Sequence, residues 1–528
     1  MSKSSELLQG RSFLGLTPAV EKGGPFYAID PATGENLPPA FFSADAADAA
    51  AAAELAGRAF PVYRRVPAAD RGKFLRVIAE NLEALAGEIV ARARRETALP
   101  EARCRGELAR TTGQLRMFAG LIEEGSWCNA RIDHGDPARQ PLPKPDTRFY
   151  LQGLGPVVVF GPANFPLAFG VAGGDTASAL AAGCPVVVKA HSSHPGTSEL
   201  CARAVLRAVQ SCGLPDGAFS LLFGSGGELG PALVTHPQIK AVGFTGSEKA
   251  GRALFDLAAR RPDPIPVFAE MGSLNPVFLL PRALRERGEE IAAGLHGSVT
   301  LGAGQFCTKP GLVVTQKGGT AEEFARRFRE LMGKTDPAVL LNPGTFDSYR
   351  DGLQRLADST GCAAPAEPAP WRAAPAVFQA TVADFQRQPA LREEIFGPAT
   401  LLLSAEDRDE VMAFARSLNG HLTSTVHGTE EDFAEFRELI EILETKTGRL
   451  VFNGFPTGVE VCASMNHSGP YPASTDARFT SVGTAAILRF VRPVCYQNCP
   501  DSALPPELRE DNPLRIWRLV DNVWTAPA

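Results

Sequence analysis

The chain has 528 residues, more than one hydrophobic core can organise, so two or three domains are expected. Hydrophobic residues at 44% and charged residues at 21% describe an ordinary globular protein rather than a disordered or fibrous one. A net charge of −6, with no basic stretch, excludes a nucleic-acid partner, and no apolar run is long enough to span a bilayer. The ten cysteines are scattered, without a Cys-x-x-Cys pair or a His/Cys cluster, so neither a metal site nor a disulfide framework is expected. Residues Met1 to Glu6 lack the apolar centre of a signal peptide, and a reducing cytoplasm is the expected location.

In chain order, residues 1–42 read as extended segments with turns. An alanine-rich helix opens after Ser43, a plausible N-cap. A second helix carries Phe74, Ile78, Leu82 and Leu85 on one face, and a third runs from about Glu101 to Ile122 with Arg110 and Gln114 a turn apart. Asp136 to Asp146 is a polar, proline-rich arm. From Leu154, short apolar runs (157–160, 186–188, 219–223, 241–244, 266–269) alternate with helical segments near 166–182, 196–211, 228–235 and 247–260. Strands buried on both faces and alternating with helices predict a parallel, doubly wound sheet, which binds ligands beyond the carboxyl ends of its strands.

The residues after each run are therefore the candidates. Asn164, in Gly161-Pro162-Ala163-Asn164-Phe165-Pro166, can donate to a developing oxyanion, though turn asparagines more often bond their own backbone. Lys189 suits a phosphate or a ribose hydroxyl. Gly246, Ser247 and Gly251 open a helix whose free N–H groups suit a pyrophosphate. Glu270 leaves a buried strand beside Gly272, where desolvation raises a carboxylate toward a useful general base. Downstream, a helix with Leu284, Ile291, Leu295 and Val299 on one face runs into Gly302-Ala303-Gly304-Gln305-Phe306-Cys307. A cysteine on such a bend is placed like a nucleophile, the alternative being a small core filler.

Taken together, the Pro-x-Asn-Phe-Pro turn, the Gly-Ser-x-x-x-Gly helix start, the Glu-x-Gly strand end, the Gly-Gln-x-Cys loop and Glu393-Glu394-Ile395-Phe396-Gly397-Pro398 resemble the aldehyde dehydrogenase superfamily over roughly residues 20–495. The resemblance implies an α/β fold with two doubly wound parallel-sheet domains and a small β oligomerisation flap. Its parts are a cofactor domain (1–128 and 151–270), a catalytic domain (271–465) and a flap (129–150 and 480–496, with a strand near Ala485 to Val491). A tail (497–528) has no counterpart in the family, and its Trp517 and Trp524 suggest docking onto the body or a neighbouring subunit. Ala363 to Ala376 reads as a surface loop. A homodimer or homotetramer is implied. So is a mechanism: Cys307 attacks an aldehyde, Asn164 and the Cys307 N–H hold the oxyanion, and Glu270 activates water on the thioester. Lys189, Gly246, Ser247, Gly251, Glu394 and Phe396 would hold the cofactor. The family's usual tryptophan is replaced by Ala163, Phe306 precedes the nucleophile, and Asn466-His467-Ser468-Gly469-Pro470-Tyr471-Pro472 replaces a glycine- and serine-rich segment.

Two finer expectations concern ligands. NAD-preferring relatives carry a glutamate three residues after the lysine; here Ser192, preceded by His191, stands there, so NADP is expected to be preferred, with NAD possible. The 189–200 and 110–115 segments, with Asn466 to Tyr471, resemble the α-ketoglutarate semialdehyde (2,5-dioxovalerate) dehydrogenases. For that substrate's distant carboxylate the candidate anchor is Arg110, with Gln114, Phe165 and Phe306 beside it and Arg478 in reserve; Arg110 paired to Glu107 is the competing reading. A broad-range aldehyde dehydrogenase, acyl transfer to coenzyme A and a non-catalytic member of the fold are the alternative functions.

Overall fold

A computed structural model describes residues 8–365 and 371–526, so Met1 to Glu6 and part of the 363–376 loop lie outside the described residues. The first sheet runs in the order Val267–Glu270, Ala241–Thr245, Val157–Phe160, Val186–Lys189, Phe219–Leu222, with two short N-terminal strands completing its far edge. The five central strands are parallel. Three go outward in one direction and two in the other, so the order reverses between Val157–Phe160 and Ala241–Thr245. The crevice at such a reversal is where a doubly wound sheet binds its ligand. Each of these strands except Val267–Glu270 and Ala241–Thr245 is buried along its full length, as their continuous apolar runs require.

The second sheet has six parallel strands, in the order Ala376–Thr381, Ala399–Ala405, Leu312–Gln316, Val277–Leu279, His421–His427, Thr447–Phe452. A third sheet joins Val491–Gln497, Thr147–Gly153, Arg131–Asp133, Arg518–Val520 and Val523–Thr525.

Several local expectations need correction. The first helix is Ala46–Tyr63, and its cap is Asp45 rather than Ser43: the Asp45 carboxylate accepts from the Asp48 N–H at 2.9 Å and Asp48 reciprocates. An unanticipated helix, Ala86–Thr97, follows Ala68–Ala84. The helix expected at 166–182 is only Gly174–Ala181. Residues 161–173 instead fold back tightly, and a Cβ on Gly170 would meet the Pro166 carbonyl oxygen at 2.0 Å. The strand expected near Ala485 to Val491 is Val491–Gln497; Thr484–Phe490 forms a 3-10 turn. The tail does dock on its own body, where Arg518–Val520 adds in parallel to Arg131–Asp133. Its tryptophans do not: Trp517 is 44% and Trp524 58% exposed.

Candidate active site

The nucleophile loop is built by a helix that cannot continue. Pro281–Thr300 buries Leu284, Ile291, Leu295 and Val299, then gives way to a turn in which Gly302, Ala303 and Gly304 all have positive φ. Gly304 is there of necessity, since a Cβ would meet the Gly397 carbonyl oxygen at 2.3 Å. This contact ties the Cys307 loop to the loop carrying Glu394 and Phe396. From the other side the buried Asn275 side chain donates to the carbonyls of Ser273, Cys307 and Lys309, at 3.1, 2.8 and 3.0 Å. Its Oδ1 accepts from Thr423 and Ser273 hydroxyls. Asn275 escaped the sequence reading because an asparagine between strands carries no spacing signal.

Asn164, Glu270 and Cys307 line one cleft of about 720 Å³, together with Phe165, Lys189, His191, Gly246, Ser247, Glu394 and Phe396. Cys307 is half-buried in its wall. The Asn164 amide donates one N–H to the Gln305 carbonyl at 2.9 Å, which fixes the group and leaves its second N–H for a ligand. Burial and the neighbouring Glu270 carboxylate push the Cys307 thiol well up, against the pull of Arg110.

Glu270 departs from the sequence argument. Burial raises its carboxyl, but charge and hydrogen bonding from His467, with hydrogen bonds from Ser481 and Cys307, outweigh burial and hold it below the ordinary glutamate range. His467 Nε2 lies 2.9 Å from Glu270 Oε1 and 3.4 Å from Cys307 Sγ, and the Ser481 hydroxyl donates to Glu270 Oε2. The 466–472 segment is a visible departure from the family pattern, but nothing local in it says that His467 returns beneath Glu270. What returns it is pairing of residues 473–475 with the end of the Val267–Glu270 strand.

The cofactor candidates divide. Lys189, at its strand's end, is buried and its amine is lowered to about 8 by desolvation. Ser247 caps the helix Glu248–Ala259, accepting from the Ala250 N–H at 3.4 Å. Gly251 lets that helix approach Met271, whose sulfur a Cβ would meet at 2.8 Å. Glu394 is raised by burial, against the pull of Lys309. His191 stacks on His194 with ring centroids 5.5 Å apart, and burial with the charges of His194 and Lys189 holds its imidazole neutral. Ser192 is exposed on the same turn and does not line the cleft. These residues fit a dinucleotide: a glycine-opened helix terminus for phosphate, a lysine at a strand end two strands away and a carboxylate from the second sheet's loops.

Beside Cys307, Phe165, Phe169, Phe306 and Val482 form an apolar cluster. Phe165 and Phe306 meet edge to face at 5.4 Å, and the Arg103 guanidinium sits over both rings, at 4.4 and 4.6 Å. Arg110 lies over Phe169 at 5.4 Å. Its Nε and Nη2 are buried and have no hydrogen-bond partner among the described residues. The competing Glu107 is already engaged: Oε1 accepts from the Leu167 and Ala168 N–H groups at 2.9 and 3.0 Å, and Oε2 from Arg103 at 3.3 Å. Gln114 points elsewhere, its amide against the Ala168 carbonyl at 3.5 Å, and it does not line the cleft. Arg478 is 81% exposed and paired to Asp476, which removes it as a buried anchor.

The profile described as the aldehyde dehydrogenase family matches residues 20–470. The chain belongs to the aldehyde dehydrogenase family. It is 49% identical over 519 residues to "Alpha-ketoglutaric semialdehyde dehydrogenase 2" of Azospirillum brasilense, covering 97% of this chain and 99% of that one. It is 46% identical over 480 residues to "Alpha-ketoglutaric semialdehyde dehydrogenase" of Acinetobacter baylyi, covering 90% and 91%. Among solved structures, lactaldehyde dehydrogenase from Escherichia coli superposes with a TM-score of 0.79 at 21% identity, covering 92% of this chain and 98% of that one. A Thermus 1-pyrroline-5-carboxylate dehydrogenase with bound NAD gives 0.77 at 21%, covering 92% of both. At those identities the likeness speaks for the α/β fold. Membership makes this chain an NAD(P)-linked oxidoreductase acting on an aldehyde. None of the described helices is long and apolar enough to cross a membrane.

Proposed function

We propose that this aldehyde dehydrogenase oxidises α-ketoglutaric semialdehyde to α-ketoglutarate, with NADP preferred over NAD. The observation that carries the substrate is Arg110: a half-buried guanidinium over Phe169 whose Nε and Nη2 are buried with no hydrogen-bond partner among the described residues, and whose charge reaches Cys307, although it does not itself line the cleft. A buried cation without a partner is costly, and a substrate carboxylate supplies the missing acceptors in a bidentate pair. The two relatives above, whose names carry that substrate, support the same reading.

In the proposed chemistry the Cys307 thiolate attacks the aldehyde carbon, and the second Asn164 N–H with the Cys307 N–H receives the oxyanion. Bound NAD(P) would supply the oxidation by accepting hydride. The resulting thioester on Cys307 is cleaved by water, from which Glu270 takes a proton; held ionised by its partners, Glu270 is ready to accept one at neutral pH. Lys189 and the start of the Glu248–Ala259 helix would hold the adenosine side, and Glu394 and Phe396 the nicotinamide side. Support for NADP is the absence of a carboxylate at position 192; the neutral His191 would contribute an N–H rather than a charge. Two sheet edges, Thr447–Phe452 and Val491–Gln497, each have one side unpaired among the described residues, which supports a homodimer or homotetramer.

The test is a comparison of kcat/KM for α-ketoglutaric semialdehyde and for pentanal, a five-carbon aldehyde without the carboxylate. The keto acid is expected to win by at least about 30-fold, the worth of one charged hydrogen-bonding group. Equal efficiency would leave a broad-range aldehyde dehydrogenase.

A further inference from the structure

His467 is a buried imidazole in contact with both reacting side chains, and the chemistry above uses only its contact with Glu270. Its position is over-determined. The His467 N–H donates to the Thr480 hydroxyl at 2.8 Å, and its carbonyl accepts from the Ser481 N–H at 3.0 Å. Asn466 next to it donates to the Gly448 carbonyl at 2.9 Å, and a Cβ on Gly448 would strike the Ser468 carbonyl oxygen at 1.9 Å. Nε2 faces Glu270 and Cys307, while Nδ1 is buried without a hydrogen-bond partner among the described residues.

Cys307 needs help that the rest of the site does not give. The charged groups facing it are Glu270 and Glu394, which disfavour a thiolate, and Arg110, which favours it; Arg449 is the remaining cation whose field reaches the sulfur. Arg449 spends its guanidinium on the carbonyls of Pro456 and Gly458, and Arg110 is the candidate partner of the substrate. A nucleophile in this setting stays protonated unless an acceptor stands in contact with it.

We propose that His467 is a further catalytic residue, which takes the Cys307 proton and holds it between sulfur and the Glu270 carboxylate. The S–H bond breaks, its electron pair stays on Sγ, and the proton binds Nε2. The three groups carry one net negative charge before the transfer (thiol, imidazole, carboxylate) and one after it (thiolate, imidazolium, carboxylate). No charge is added to a buried site, so the step avoids the desolvation that ionising Cys307 into solvent would incur. The neutral ring carries its hydrogen on Nδ1, which leaves the Nε2 lone pair free to take the proton, and the Glu270 carboxylate 2.9 Å away stabilises the imidazolium so formed. When water later cleaves the thioester, sulfur leaves as thiolate and the ion pair is restored, while the proton taken by Glu270 passes to solvent. The inference rests on Cys307 being the nucleophile.

The experiment is the pH dependence of Cys307 alkylation by iodoacetamide in the apo enzyme, for wild type and His467→Gln. Glutamine keeps a donor toward Glu270 but cannot take a proton. His467→Gln is expected to shift the midpoint upward by at least one pH unit and to slow alkylation at pH 7 by about tenfold or more, with the two rates merging at high pH. Superimposable profiles would overturn the proposal and leave His467 a packing residue. Where the variant fails to fold, the ultraviolet thiolate absorbance of wild type minus Cys307→Ser decides. A thiolate present at pH 7 sustains the ion pair, and one that appears only above the ordinary thiol range refutes it. Alkylation that leaves turnover intact would instead remove Cys307 as nucleophile, a separate failure.

Discussion

Replacing Arg110 by methionine removes the guanidinium while keeping most of the stem that packs on Phe169. Nε and Nη2 are the two nitrogens without partners, and they point the same way out of the guanidinium plane's edge that a carboxylate pairs with. Each charge-assisted hydrogen bond is worth about 1.5–3 kcal/mol, and part is returned in stripping water from the substrate carboxylate. A net loss of about 2–4 kcal/mol corresponds to roughly 30- to 1000-fold in kcat/KM for the semialdehyde. Pentanal, with nothing to offer Arg110, should lose only the small part that comes from removing a cation near the Cys307 thiolate, well short of the loss on the semialdehyde. The same change deletes a half-buried cation whose Nε and Nη2 have no hydrogen-bond partner among the described residues, so the melting temperature of the free enzyme should stay level or rise. Steady-state NADPH formation with both aldehydes, alongside a thermal melt, reads all three outcomes. Equal losses on the two substrates would refute the anchor. So would a marked fall in melting temperature, which would mean that Arg110 is satisfied within the protein.

Asn164→Ala removes an oxyanion donor already oriented by Gln305, and kcat should fall by about 100- to 1000-fold with cofactor affinity unchanged; stopped-flow absorbance and a cofactor titration check both halves. Ser192→Glu places a carboxylate on the turn after Lys189, and its repulsion of a 2′-phosphate should lower kcat/KM for NADP at least about tenfold while sparing NAD. An unchanged ratio would show that position 192 does not read the cofactor.

The elements and the groups that bear the chemistry differ in how far sequence exposes them. Strands such as Val157–Phe160 and Val186–Lys189 are legible because burial on both faces demands an unbroken apolar run, and the turn after each run then locates Asn164, Lys189 and Ser247. The helix expected at 166–182 failed because Gly170 and Gly173 pack their own backbone against Pro166 and Ala168, a tertiary contact that periodicity cannot weigh. The Asp45 cap was missed in favour of Ser43 because both are good caps and only the fold chooses. The protonation of Glu270 runs opposite to the sequence expectation. Desolvation follows from leaving a buried strand, whereas the opposing contacts come from His467 and Ser481, some two hundred residues away. Asn275 and His467 share that cause: what makes each functional is a long-range return of the chain.

The central claim is a thioester on Cys307 that Glu270 helps water to cleave. Glu270→Gln keeps the shape and loses the base, so mixing it with NADP and the semialdehyde should give a burst of one NADPH per active site followed by near-arrest. Intact-mass measurement of the quenched protein should then find one acyl group, mapped by peptide digestion to Cys307. Undiminished turnover in Glu270→Gln, or an acyl group on any other residue, would contradict the account.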